Sequence, residues 1–354
     1  MRIVGRSIEL VLAAALALWM SSCESGEDYD SSVRRSLGVS AITPQEVQER
    51  IWPEIALREL FTVPADTGVY FLLPRAVRAD ASGNFFVMDY GDYKVKGFDR
   101  EGNHIASYGS GEGQGPGEFA LGVSDLGVLE DSAVYVTDRI EQRVSLFGIE
   151  GRLLKTYPLT RQLGNRIGRP FRHSTTSQGH RYTMFTSGQK LFEARAPNAI
   201  ETTSFGPPLD MTGSKMSQVD GMIISYQERL VYAPVHYPVI LQYDPDGSVV
   251  YARGTVDYGQ TELPYTISET VNGILMEKTG GRDVHGTASA SGNRIYVEVF
   301  LESGRSFDVY EAGSGRYEHS FRSVSGYDVF AIGDRLYQAL DSTVAVWAID
   351  RKEP

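Results

Sequence analysis

Six polar residues recur along the chain at nearly even steps: Arg78, Asp125, His173, Asp220, His285 and Asp328. The steps are 47, 48, 47, 65 and 43 residues. If each holds the same place in successive structural units, they form a ring of two histidines, three aspartates and one arginine. Imidazole and carboxylate suit zinc, manganese or iron, and a site held from one wall leaves coordination positions open for substrate. His173, Asp220 and His285 are the metal candidates within the ring, and His236 is a further polar candidate outside it. The competing reading is a wet ring whose polar groups satisfy one another through water.

Other segments carry less chemistry than their composition suggests. The run 109–117 (GSGEGQGPG) resembles a phosphate loop only in its glycines. A phosphate loop opens a helix, whose N-terminus holds the anion, whereas here Glu118 and Phe119 lead into further strand-like sequence. The Asp244-Pro245-Asp246-Gly247 run lacks the bidentate glutamate of a calcium loop and reads as a hairpin turn. There is no Gly-x-Ser-x-Gly elbow, no His-Glu-x-x-His and no P-loop. One cysteine excludes a disulfide framework and a thiolate zinc cluster. A formal charge of -11 opposes binding to phosphate backbones, so nucleic acid is not an expected partner.

That one cysteine stands at the end of an export signal. Arg2 and Arg6 precede an apolar run at 10–20 (LVLAAALALWM), of secretory length and short for a bilayer span. Ser21 and Ser22 then lead to Cys23. This resembles the lipobox of bacterial lipoproteins, which implies acylation at Cys23 and a membrane-anchored protein of the bacterial cell envelope. Cleavage of an ordinary signal peptide is the alternative. Residues 24–42 are rich in Ser, Asp and Glu and read as a flexible tether. Thr43-Pro44-Gln45-Glu46 has the pattern of a capping box and predicts a short helix over 43–52.

The elements that must position the ring are strands. After residue 55 the chain breaks into short β-rich runs split by Gly, Asp and Asn turns. They group into six copies: 75–109, 122–157, 170–206, 219–255, 284–322 and 326–350. An insertion, about 257–283, separates the fourth from the fifth. Four-stranded units at this spacing predict an all-β, six-bladed β-propeller. The sixth copy stops after three strands. An open sheet edge is an aggregation hazard, so 56–63 is expected to complete the last blade and close the ring.

The first two copies carry a more specific pattern. GNFFVMDYGDYKVKGFDREGN at 83–103, followed by GSGEGQGPGEF at 109–119, resembles the NHL-type six-bladed propellers, found among uncharacterised bacterial lipoproteins. That resemblance implies the fold and, by itself, no activity. The metal-bearing lyase of peptidyl-α-hydroxyglycine is an NHL-like propeller with three histidines on its metal; here Asp220 stands where a third ring histidine would.

The leading expectation is therefore a membrane-anchored, extracytoplasmic and monomeric propeller. It acts as a non-catalytic scaffold for a protein, peptide or carbohydrate ligand, with no cofactor. Its ligand face would carry Tyr90, Asp92, Arg139, Glu141, His236 and Tyr237 around the channel ring. The rival is a metal-dependent lyase or hydrolase with a divalent metal in the channel.

Overall fold

The computed structural model describes residues 29–64, 68–120, 123–129, 133–159, 161–163, 166–209, 216–260, 265–270, 273–278 and 283–351. The signal segment and Cys23 lie outside the described residues. Six four-stranded antiparallel sheets form six blades. From first to sixth, their innermost strands are Pro74–Ala79, Val123–Leu129, Pro170–Thr175, Gly221–Tyr226, His285–Ser291 and Val329–Ile332. Each innermost strand packs beside those of the two neighbouring blades, and the first meets the sixth, so the ring is closed.

Radial position explains the burial pattern of each strand. Second strands such as Phe85–Asp89 and Ala133–Asp138 are buried throughout, because they have a strand on either side and a blade on either face. Outermost strands such as His104–Tyr108 alternate toward solvent. The repeated Asp-x-x-Gly turns build the hairpins. Asp99 accepts the amides of Glu101 (3.0 Å) and Asn103 (2.7 Å), and Gly102 takes a left-handed φ of 88°.

The last blade closes as its missing strand requires. Ile55–Val63 pairs antiparallel with Val344–Arg351, from Ile55 opposite Arg351 to Val63 opposite Val344. The Gly102 turn of the first blade seats directly against this strand. A Cβ on Gly102 would come within 2.8 Å of the Phe61 ring, so the seam leaves no space for a larger residue.

The segment before the closure strand differs from expectation in two places. There is no helix over 43–52. Gly254 donates to the Thr43 carbonyl (2.9 Å), and the Gln45 side chain bonds to the carbonyls of Gly254 (2.8 Å) and Gly315 (2.9 Å) and to the amide of Tyr317 (2.9 Å). These bonds hold the segment against the outer strands of blades four and five. The helix lies earlier, at Tyr29–Leu37, within the stretch read as a tether. Val33 and Leu37 are one turn apart and fully buried, and they share a core cluster with Phe192, Phe205 and Leu209 of blade three. Gly38, at φ 68°, ends the helix, with Val39 donating to the Arg34 carbonyl (3.1 Å) and Gly38 to that of Arg35 (3.3 Å). Residues 29–54 therefore form a docked strap that leads into blade six.

The insertion before blade five contains a hairpin, Tyr265–Thr270 with Gly273–Lys278. Among the described residues, no helix is long and apolar enough to cross a membrane.

Candidate functional site: the central channel

The innermost strands enclose a cavity of about 120 Å³ to which all six blades contribute. Its wall is divided. Blades one to three supply its charged and phenolic groups, Arg78, Asp125 and Tyr135, beside Leu126 and Val128, whereas blades four to six supply Met222, Ile224, Phe330 and Ile332 together with Ser225 and Ser289. Ala79, Val128, Ser225, Ala290 and Ile332 line both this cavity and a wider funnel of about 670 Å³, so the two are continuous. The funnel opens where the innermost strands end and turn back into the second strands. That is the end opposite the loops at Tyr90, Arg139 and His236, which the sequence favoured as the ligand face. Short side chains keep it wide: Ala81, Ser177, Ser291 and Gly292 are on its rim.

At the end where the innermost strands begin, four of the six ring residues join a chain of charges. Arg78 Nη1 lies 2.9 Å from Asp328 Oδ2 and also donates to the Val77 carbonyl at 2.6 Å. The Val77 amide donates to the same Asp328 oxygen at 2.7 Å. Arg172 Nη2 lies 3.6 Å from Asp220 Oδ1. Asp125 stands between the two pairs. Its carboxylate accepts the amides of Leu126 (3.0 Å) and His173 (3.2 Å) and forms no ion pair among the described residues. Burial raises the Asp125 pKa, and the charges of Arg172 and Arg78 offset only part of that rise. Tyr90 stands over the same group. Burial raises its phenol pKa, the charges of Arg78, Asp328, Asp125 and Arg172 all act on it, and its hydroxyl donates to the Val123 carbonyl at 3.3 Å.

The two ring histidines are turned away from this chain, which corrects the expected ring. His173 is fully buried between blades two and three. Its Nδ1 bonds to Thr183 Oγ1 (3.1 Å), its Nε2 to Thr175 Oγ1 (2.9 Å) and the Tyr157 hydroxyl (3.2 Å), and Tyr135 meets its ring edge-on at 5.4 Å. Burial, aided by the charge of Arg181, depresses its pKa to about 3. His285 is buried between blades four and five, donating from Nδ1 to the Pro234 carbonyl at 2.7 Å. Burial lowers its pKa to about 4. His236 sits in a loop of blade four, 3.1 Å from Asp283. His173, Asp220 and His285 therefore do not converge, and among the described residues no three His, Cys, Asp or Glu side chains could share a metal ion.

The physical reason is strand register. Innermost strands of blades one, two, three and five shift register at their start, between Pro74 and Ala76, Val123 and Asp125, Pro170 and Arg172, and His285 and Ala288. Those of blades four and six pair without a shift. Asp125 follows its bulge and faces Thr137; in blade three the residue in that place is Arg172, facing Met184. His173 is one residue further, and one residue flips a side chain to the other face. Arg172 is the site residue the sequence reading missed. A step of 47 from Asp125 lands on it, so a uniform period would have found it.

The loops near Tyr90 are held by the aspartates that end the second strands. Asp89 accepts the amides of Leu72 (2.8 Å), Leu73 (2.7 Å) and Gly91 (2.9 Å) and pairs with Lys96 at 2.6 Å. Burial would raise its pKa, but the Lys96 bond and the three amides outweigh burial and lower it. Asp138 does the same work in blade two, accepting the amides of Ala120, Ile140 and Glu141, each at 3.0 Å. Asp92 is 2.9 Å from Lys96, and the Arg139 guanidinium lies 5.9 Å from the Phe171 ring. Tyr237 is buried in the core shared by blades three and four rather than presented to a ligand. The aspartates that close Val87-Met88-Asp89 and Val136-Thr137-Asp138 are loop clamps here.

Solved structures share this architecture. A candidate exported protein of Bacteroides fragilis matches with a TM-score of 0.56 at 10% identity, covering 88% of this chain and 99% of that one. A member of the DUF4221 family from Bacteroides vulgatus matches with a TM-score of 0.50 at 12% identity, covering 86% and 100%. The fold is a six-bladed propeller. At such identities the likeness concerns the fold alone. No protein-family profile matches the chain, and no curated protein matches it.

Proposed function

We propose that this chain is an exported, lipid-anchored propeller of the bacterial envelope that binds a ligand in its channel without transforming it. The observation that carries the reading is the divided cavity. A pocket with its charged groups on one side only and large apolar side chains on the other, reached through a funnel of short side chains, suits an amphipathic molecule. His173 spends both ring nitrogens on structural hydrogen bonds, and His285 spends Nδ1 on the Pro234 carbonyl while its Nε2 is buried without a partner among the described residues. A divalent metal in the channel would need ligands other than His173, Asp220 and His285. Export rests on the N-terminal segment and accords with the name of the B. fragilis protein.

Two experiments test this. Native mass spectrometry of the protein purified from its own host should show a small-molecule adduct that is lost in Ala290→Trp, which fills the wall common to funnel and cavity. An adduct of equal abundance in that variant contradicts the channel. Lipid labelling of the full chain should incorporate acyl groups that Cys23→Ser loses; label retained on the variant contradicts the anchor.

A further inference from the structure

We propose that the channel recognises an aliphatic ammonium group, held by Asp125 with its carbon chain against Met222, Ile224, Phe330 and Ile332. The proposal rests on the channel reading above and names its ligand chemistry. The charges at the channel floor are three aspartates and two arginines. Asp328 takes Arg78 in a hydrogen-bonded pair at 2.9 Å, and Asp220 lies 3.6 Å from Arg172, an ion pair without a hydrogen bond. Asp125 is left with two backbone amides and no ion pair among the described residues. It is also the one of the three aspartates that lines the cavity, where a ligand would meet it. A buried carboxylate without a cation is costly, and an entering ammonium supplies the missing partner together with up to three donors.

The rest of the channel agrees in charge, shape and size. Arg78 is the one basic side chain among the residues lining the cavity, and its Nη1 is already engaged by Asp328 and the Val77 carbonyl. The funnel wall carries Asp80 and Glu228 and no lysine or arginine. With a chain charge of -11, this entrance attracts cations and repels carboxylates. A cavity of about 120 Å³ is of the order of the engineered apolar cavity, about 150 Å³, that accepts benzene. It takes a short alkyl chain, while anything larger attached to that chain remains in the funnel. A free alkylamine and the side chain of a lysine in a peptide share this chemistry.

Calorimetric titration of the detergent-solubilised full chain at neutral pH tests the assignment. The probes are n-hexylamine, n-hexanol, n-hexanoate and the amide of N-acetyl-lysine. n-Hexylamine should bind about tenfold or more tighter than n-hexanol, the scale of one charge-assisted hydrogen bond, and n-hexanoate more weakly still. Asp125→Asn should bring the amine down to the level of the alcohol. Ala290→Trp should abolish binding of both, which keeps the test open if the Asp125 variant fails to fold. Stronger binding of the acetyl-lysine amide than of hexylamine identifies a peptide lysine as the source, and the reverse identifies a free amine. Alcohol or hexanoate binding as tightly as the amine, with Ala290→Trp still blocking all three, overturns the ammonium assignment and leaves the channel reading standing. Absence of binding by every probe overturns the ammonium assignment, and the adduct experiment then decides the channel reading separately.

Discussion

Two places in the molecule bury carboxylates beside arginine, and they do it differently. At the perimeter, Arg50 of the strap reaches between blades four and five. It meets Asp257 at 2.7 and 2.5 Å and Asp308 at 2.9 and 3.0 Å, two bidentate pairs from one guanidinium. Asp308 further accepts from Ser320 Oγ (2.6 Å) and the Tyr310 hydroxyl (3.2 Å). Burial alone would lower the Arg50 pKa, but the hydrogen bonds to Asp257 and the charge of Asp308 outweigh it and raise it. At the channel floor, each arginine serves one outer aspartate and Asp125 is left between them. Both groups have one more carboxylate than guanidinium. What separates them is saturation: the perimeter carboxylates have their cation and their donors, so that cluster is a fastener. Asp125 lacks a cation and faces open space, which is the condition of a binding group.

This contrast can be broken from its structural side first. The largest effect should come from removing what the strap leads into. A chain beginning at residue 64 lacks the Ile55–Val63 strand, exposing the edge of Val344–Arg351 and uncovering the cores that Leu60, Phe61 and Val63 pack against. Each large side chain fully buried is worth roughly 1.5–3 kcal/mol, so even partial loss rivals a typical net stability. That chain should aggregate, whereas one beginning at residue 29 should melt cooperatively; equal melting temperatures would refute closure by this strand.

Arg50→Ala should come next. It leaves Asp308 buried without its cation, a loss of about 3–5 kcal/mol in denaturant unfolding. A loss under about 1 kcal/mol would show that the fastener is no stronger than a surface pair.

Acid should act on the blade interfaces rather than on either cluster. Burial holds His173 near 3 and His285 and His319 near 4, all below the ordinary imidazole value of 6.5. Between those values the unfolded chain binds protons that the folded chain refuses. The stabilisation is therefore complete above about pH 6.5 and is lost as pH falls toward 4, at about 1.4 kcal/mol per pKa unit for a fully buried group. Unfolding midpoints should fall between about pH 7 and pH 5, and His173→Asn should flatten that slope. A flat midpoint in the unaltered protein would place these imidazoles in water.

The smallest effect on stability, and the sharpest contrast with Arg50→Ala, should be Asp125→Asn. The fold raises the Asp125 pKa, so its ionised form costs stability at neutral pH, and that cost fades as pH falls through the raised value. Removing the charge should leave stability unchanged or raise it by up to about 1 kcal/mol. A loss comparable to that of Arg50→Ala would make Asp125 a second fastener.

The fold was legible because its signals are local and repeated. Short turns between the third and fourth strands recur in register, with Asp-x-x-Gly at 99–102 and 244–247, and a last unit short of one strand demands a partner from the other end of the chain. The site was legible only in part. Arg78, Asp125, Asp220 and Asp328 do gather at one end of the channel. His173 does not, because it stands one residue past Arg172, which holds the inward place, and His285 does not, because it precedes the bulge of its strand. The strap was misread for a related reason. Thr43 and Glu46 have the local pattern of a capping box, but the Thr43 backbone pairs with Ala252 and Gly254 and the Gln45 side chain with the carbonyls of Gly254 and Gly315, more than two hundred residues away.

The difference between fastener and binding group is most directly measured at Asp125 itself. Its carboxyl-carbon resonance, assigned by comparison with Asp125→Asn, can be followed through a pH titration with and without saturating n-hexylamine. Arg78, Arg172, Asp328 and Tyr135 surround it in both states, so the amine is the one charge that changes. The free protein should show Asp125 titrating above the ordinary aspartate range, and the amine should draw that pKa down as the ammonium stabilises the carboxylate. A titration in the ordinary range, or one that the amine leaves unmoved, would contradict the assignment of Asp125 as the group that binds.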